Sequence, residues 1–254
     1  MEHHDTLDGE PVFWRSTGRD DVLYVHGVPT NSDLWLPFLD PIGGIAPDLP
    51  GFGRTTKRGD LDFTIAGYGR WLDRFAEHAG LGRFSLVTHD WDGLALAWAA
   101  RRPEQIERIV IMDSVPLLPG YRWHRVARAW RTRGLGEVAM GLTTRFGIRR
   151  ALPRPIADLV WPYFDQGTQR AILRLYRSAD PEVLAAAGSD LGRLTAPALI
   201  LWGDEDPYLP GRFADDYANA LGGPAEVEHL AGAGHWLWHD RPDALERVAT
   251  FLSA

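Results

Sequence analysis

The run Ser85-Leu86-Val87-Thr88-His89-Asp90-Trp91-Asp92-Gly93 sets a carboxylate where an apolar strand pattern gives way to a helical one. Turns of the form small-x-nucleophile-x-small lift their apex side chain clear of a sheet, toward the positive end of the next helix. Serine is the usual apex; here it is Asp90. A carboxylate is already ionised near neutral pH and attacks carbon without a general base, giving an enzyme ester that water must later cleave. That second step asks for a base. His235 is the sole histidine in a glycine-rich loop, Ala231-Gly232-Ala233-Gly234-His235-Trp236, that follows an apolar strand pattern. A paired aspartate would fix its tautomer and stabilise the imidazolium formed when it takes a proton from water. Leu201-Trp202-Gly203-Asp204-Glu205-Asp206-Pro207 supplies an acidic turn after another apolar run, in the chain order nucleophile, acid, histidine. His26-Gly27-Val28-Pro29 follows a further one. Gly27 permits close backbone approach, and the amides of Val28 and Trp91 are candidates for an oxyanion hole. Each segment alone reads as an ordinary strand-end loop; their coincidence at strand ends points to one site.

Positioning such residues takes a sheet whose strands all end on one edge. Apolar runs bounded by turn residues recur at Asp21 to Val25, Ile42 to Ala46, Arg83 to Thr88, Glu107 to Met112, Ala198 to Trp202 and Ala225 to Leu230. They read as buried parallel strands. Amphipathic stretches at Ala66 to Ala79, Leu94 to Arg101, Arg212 to Leu221 and Pro242 to Leu252 separate most of them, the alternation of a doubly wound α/β sheet. The alternation fails between Ser114 and Arg193, which is rich in Arg, Trp and Pro and helix-like. The expected organisation is a core of residues 1–114 and 191–254 with a helical cap inserted at 115–190, roofing the strand ends where ligands bind.

The 254 residues, 45% of them hydrophobic, suffice for one large core. There is no cysteine, which excludes disulfides, thiolate catalysis and cysteine-held metal. Met1-Glu2-His3-His4-Asp5 lacks the pattern of a signal peptide, and no apolar run approaches the roughly 20 residues of a membrane span. A cytoplasmic protein without a membrane partner is therefore expected. The net charge of −7 is unevenly spread: Leu117 to Arg177 holds twelve Arg against three carboxylates, Glu137, Asp158 and Asp165. This stretch carries no nucleic-acid-binding motif, and a basic cap on an acidic body accounts for the numbers, so no nucleic-acid partner is expected. His3, His4, His26, His89, His229 and His239 form no ligand-spaced set, and neither metal nor organic cofactor is expected.

The chain resembles the α/β-hydrolase-fold proteins that use an aspartate nucleophile, a branch containing epoxide hydrolases and haloalkane dehalogenases. His26-Gly27-Val28-Pro29, Asp48-Leu49-Pro50-Gly51-Phe52-Gly53-Arg54, His89-Asp90-Trp91, Trp202-Gly203-Asp204-Glu205-Asp206 and Gly234-His235-Trp236 carry the resemblance. It implies Asp90 as nucleophile, His235 as base and Asp206 as its orienting acid, acting on a small apolar organic substrate and water. Asp206 is preferred to Asp204 as the fourth residue of its Gly-x-x-Asp turn. Asp113 in Ile111-Met112-Asp113-Ser114 is an alternative acid, since some dehalogenases place it after that strand.

The two reactions differ in what the leaving group needs. An epoxide oxygen needs proton donors, in that family commonly two cap tyrosines, whereas a halide needs weakly polarised N–H groups such as indoles. Trp91 fits both. Tyr176, in Leu175-Tyr176-Arg177 and 30 residues before Asp206, resembles one cap tyrosine. Tyr121 and Tyr163 are candidates for the second; Trp123, Trp130 and Trp161 are candidates for a second halide indole. Many dehalogenases have Asn where this chain has Val28. Asp92 replaces the family's glycine two residues past the nucleophile and would raise the pKa of Asp90 by like-charge repulsion. Epoxide opening is the expected reaction, with haloalkane dehalogenation as its alternative and a non-catalytic ligand-binding homologue as a third reading.

Overall fold

The computed structural model describes residues 1–91 and 93–253. In chain order its elements are β1 (Glu2–Leu7), β2 (Glu10–Thr17), β3 (Val22–Val25), α1 (Leu36–Ile42), β4 (Gly44–Pro47), α2 (Ile65–His78), β5 (Phe84–Asp90), α3 (Gly93–Ala99) and β6 (Ile106–Ser114). Helices alone follow: α4 (Arg125–Arg131), α5 (Leu135–Gly141), α6 (Arg145–Ala151), α7 (Arg154–Val160), α8 (Gln166–Ser178) and α9 (Pro181–Ala187), with short 3-10 turns. The chain ends with β7 (Ala198–Gly203), α10 (Arg212–Ala220), β8 (Ala225–Leu230), α11 (Leu237–Asp240) and α12 (Asp243–Ser253).

The eight strands form one sheet ordered β1-β2-β4-β3-β5-β6-β7-β8. From β4 through β8 every pairing is parallel, and β1 and β2 add an antiparallel edge. The chain steps outward from β3 to β4 and then returns to place β5 on the other side of β3. Between β3 and β5 lies the switch point at which open α/β sheets bind ligands.

Side chains of a strand alternate between its two faces, and the packing follows that period. Leu23, Ile109, Ile111, Ile200 and Trp202 share a cluster with Leu72 and Phe75 of α2, Ala95 of α3 and Phe213 of α10. Their neighbours Tyr24, Val110, Met112, Leu199 and Leu201 pack with Phe38 of α1 and Val248 of α12. Both faces are covered, which is why these strands read as unbroken apolar runs.

The six expected strands appear with small shifts; Ile42 belongs to α1, which stops at Gly43 with φ 85° and Gly44 with φ 133°. The sequence reading omitted β1 and β2. They pair with Leu7 opposite Glu10 across Asp8-Gly9, both at positive φ, which is the two-residue hairpin turn that Asp-Gly favours. Glu2–Leu7 is polar and exposed on an edge, so it carries no apolar signal. Among the described residues, no helix is long and apolar enough to cross a membrane.

Candidate active site

Four loops meet at the carboxyl ends of β3, β5, β7 and β8. Asp90 closes β5 with φ 62°, a left-handed conformation that strains a residue bearing Cβ by about 1–3 kcal/mol. Its neighbours hold it there: its carbonyl accepts from the Val115 amide at 2.7 Å, and Thr88 Oγ1 donates to the Val110 carbonyl at 3.0 Å. Oδ1 of Asp90 accepts from the Val28 amide at 2.6 Å across the β3–β5 switch point. The carboxylate itself occupies the position that the expected oxyanion donor faces. Behind it, a Cβ on Gly27 would lie 2.4 Å from Asp90 Oδ1, so only glycine fits.

His235 stands on the other side of the carboxylate, its Nε2 3.3 Å from Asp90 Oδ2. Its Nδ1–H donates to Asp206 Oδ2 at 2.7 Å. Asp206 Oδ1 is fixed by the amides of Tyr208 at 2.6 Å and Leu209 at 3.0 Å. Thus Asp206, not Asp204, meets His235; Asp204 is exposed beside His229 at 3.6 Å. The loops after β7 and β8 are locked by Glu205 N–H donating to the Ala233 carbonyl at 2.9 Å. Buried His89 donates from Nε2 to the His235 carbonyl at 2.8 Å. Burial, reinforced by the charge of His235, pushes His89 down to about 3, so it is neutral and acts as a fixed strut.

The electrostatics sort these groups. Burial works against charge on His235, but Asp206, and then Asp90, overcome it and lift the imidazole well above its ordinary value. Burial likewise opposes ionisation of Asp90; the hydrogen bond and charge of His235 outweigh it and bring the carboxyl down. Asp113, next to the last residue of β6, has φ 37° and is wholly buried, its Oδ1 accepting from the Gly203 amide at 3.0 Å and its Oδ2 without a partner among the described residues. Burial and then the charge of Asp206 raise its pKa well above the ordinary carboxyl value, which favours its protonated form. Asp113, Asp206 and His235 offer ligand atoms within 4.8 Å of one another, the one such group among the described residues. The shift of Asp113 toward its protonated form and the commitment of His235 Nδ1 to Asp206 both oppose cation binding there.

Asp90 and His235 open into a cavity of about 420 Å³ with mainly apolar walls from Trp130, Leu142, Ile148, Leu152 and Phe164. Of the tyrosines and tryptophans singled out from the sequence, only Tyr176 and Trp130 reach this wall. Burial, then the charge of Asp90, pushes the Tyr176 phenol up, so it stays a proton donor; the neighbouring Trp91 indole partly offsets this. Trp91 is buried edge-on behind Tyr176, ring centres 4.9 Å apart, and is not part of the wall, contrary to a direct leaving-group contact. Among the described residues its Nε1 meets no acceptor in good hydrogen-bond geometry. Trp123 Nε1 is committed to the Ala179 carbonyl at 2.9 Å. Tyr121 is buried between Trp123 and Phe213, Tyr163 lies under the Arg54 guanidinium, and Trp161 packs on the core; none lines the cavity. Asp92 lies outside the described residues.

Among the wall residues to which the sequence assigned no role are His124, Tyr208 and Trp236, the last quoted only as part of the histidine motif. Tyr208 sits two residues past Asp206 and packs edge-on against His235, and Trp236 directly follows the histidine, so proximity in sequence could have flagged both. His124 caps α4 and had no such signal.

A family model described as the alpha/beta hydrolase family matches residues 22–248. A haloalkane dehalogenase of Bradyrhizobium diazoefficiens is 31% identical across 94% of this chain and 89% of that protein. Haloalkane dehalogenase 1 of Mycobacterium tuberculosis is 30% identical across 92% and 84%. The crystal structure of haloalkane dehalogenase DbeA from Bradyrhizobium elkani superimposes with a TM-score of 0.84 at 27% identity, covering 100% of this chain and 97% of that one. With that coverage, and with an aspartate at its elbow, the chain belongs to the alpha/beta hydrolase family and is a hydrolase with haloalkane dehalogenases among its relatives.

Proposed function

We propose that this hydrolase cleaves the carbon–halogen bond of small haloalkanes through an alkyl ester on Asp90. The observation that carries the reading is the Asp90 carboxylate, ionised, held at Oδ1 by the Val28 amide and facing His235 at the floor of an apolar cavity. Oδ2 displaces halide from carbon, and Oδ1 becomes the ester carbonyl. His235 Nε2 then takes a proton from water, whose oxygen adds to the ester carbon while the Val28 N–H stabilises the oxyanion. Collapse expels the alcohol, which recovers the proton from His235; the Asp90 carboxyl left behind carries the second proton of the water and releases it to solvent, regenerating the carboxylate. Asp206 orients the imidazole, and the helices of residues 115–190 act as the cap that excludes bulk water. The names of the relatives support halide over oxygen as leaving group.

One observation favours a second reading, epoxide opening. The wall beside Asp90 includes Tyr176 and not Trp91, and a phenol can protonate a departing alkoxide. A panel of bromoalkanes and styrene-type epoxides, assayed for halide and diol, decides between them. Halide release without diol is the expected result; diol formation alone replaces the first reading with the second. His235→Gln should trap the ester, seen as an intact-protein mass increase equal to the alkyl group on Asp90. Failure of both substrate classes to mark Asp90 would support a non-catalytic ligand-binding protein.

A further inference from the structure

Five of the exposed large apolar side chains lie on consecutive cap helices: Val126 on α4, Leu135 and Val138 on α5, Leu142 just after it, and Phe146 on α6. Phe146 is 77% and Leu142 75% exposed. Leu135, Val138 and Leu142 are spaced i, i+3, i+7, so they form one stripe along α5 and its end. Val126 and Leu142 also line the cavity that holds Asp90, so its mouth opens on this patch. The same stretch, from α4 to the start of α7, carries Arg125, Arg128, Arg133, Arg150 and Arg154, exposed and without a carboxylate partner among the described residues. They belong to the stretch of twelve Arg and three carboxylates, while the rest of the chain holds fifteen basic and thirty-one acidic groups.

Charge and apolarity together select the occupant. A nucleic acid would satisfy the arginines but leave Phe146 and Leu142 in water. A symmetric pairing of two copies through this face would set the unpaired arginines of one copy against those of the other. A head-to-tail contact would find no matching apolar stripe, since outside this face only Met1, Leu36 and Val183 are exposed large apolar side chains among the described residues. An anionic bilayer surface meets both demands, since the apolar side chains enter the boundary between headgroups and acyl chains while guanidinium groups bind phosphate. We propose that the α4–α6 face docks on an anionic phospholipid surface, with the cavity mouth turned toward the lipid. The sequence reading excluded a membrane because it sought only a spanning segment. Docking of this kind would let an apolar substrate pass from the acyl phase into the cavity; the docking itself does not rest on the reaction proposed above.

The test is co-sedimentation of the full chain with phosphatidylglycerol-containing vesicles and with pure phosphatidylcholine vesicles, at about 0.05 M and about 0.5 M salt. Binding is expected to the first at low salt only. Val138→Glu with Phe146→Glu, and separately Arg150→Glu with Arg154→Glu, should each weaken it by at least about tenfold, with thermal unfolding unchanged. Sedimentation no greater than with phosphatidylcholine overturns the proposal, as does full binding by both double variants. Self-association of the free chain that Val138→Glu with Phe146→Glu abolishes would overturn it in favour of a second copy.

Discussion

A single methyl group added at position 27 would reach within 2.4 Å of Asp90 Oδ1 and 2.5 Å of its Cβ. Gly27→Ala should therefore displace the carboxylate and lower kcat/KM at least about a hundredfold, a loss out of proportion to the modest fall in thermal stability measured alongside it. His235 and Asp90 make a pH prediction. In the free enzyme two carboxylates hold the proton on His235, and that imidazolium keeps Asp90 ionised. Ester formation erases the charge on Asp90, so His235 should lose its proton more readily in the intermediate and become a base only then. Single-turnover pH profiles should show alkylation persisting into the acid range, down to the lowered pKa of Asp90. Ester hydrolysis should rise with pH through a value below that of His235 in the free enzyme. Asp113 is raised instead, so the folded chain keeps a proton that the unfolded chain releases near pH 4, and stability falls as pH rises toward the folded value. Asp113→Asn should raise Tm at pH 7 but not at about pH 3, and lower kcat less than about tenfold; Asp206→Asn should lower it by about 10³–10⁴. A reversed order of losses would make Asp113 the orienting acid.

Each element that carries a reacting group is braced by one that does not. Asp48, buried after β4, accepts from the Ser32 amide at 2.7 Å, the Arg54 amide at 2.7 Å and the Arg54 guanidinium at 3.0 Å. His26 is locked between the Gly27 carbonyl and the Leu49 amide, which joins this clamp to the Val28 loop. The Asp48–Arg54 motif thus shapes the wall of the β3 loop rather than touching substrate. Asp48→Ala strands these donors and should destabilise by about 3–5 kcal/mol in chemical denaturation. The elements that carry Asp90, Asp206 and His235 were legible because buried parallel strands advertise themselves by apolar runs, and punctuating Gly and Asp mark where they end. The β1–β2 hairpin was illegible by that rule: an exposed edge needs no apolar run, and only Asp8-Gly9 betrays it.

At the scale of the whole molecule, the sheet is buried on both faces, so neighbours on one strand serve different cores. Leu199 and Ile200 are both fully buried, on opposite sides of β7. Leu199→Ala and Ile200→Ala should each cost about 2–5 kcal/mol in denaturant unfolding; a sheet covered on one face would lose that much at only one of them. The same arrangement explains how far sequence alone could reach. Parallel strands bring their carboxyl ends to a single edge whatever the details of packing, so Asp90, His235, the Val28 amide and an acidic turn were bound to converge, and a hydrolase chemistry with them. Which acid meets His235 and which aromatic side chain faces Asp90 are distances between segments far apart in sequence. Local spacing does not encode them. Folding brought Asp206 into contact and buried Asp113 against the Gly203 amide; it also set Tyr176 in the cavity wall with Trp91 behind it, because long-range packing of the inserted helices on the sheet, rather than residue type, fixes those positions.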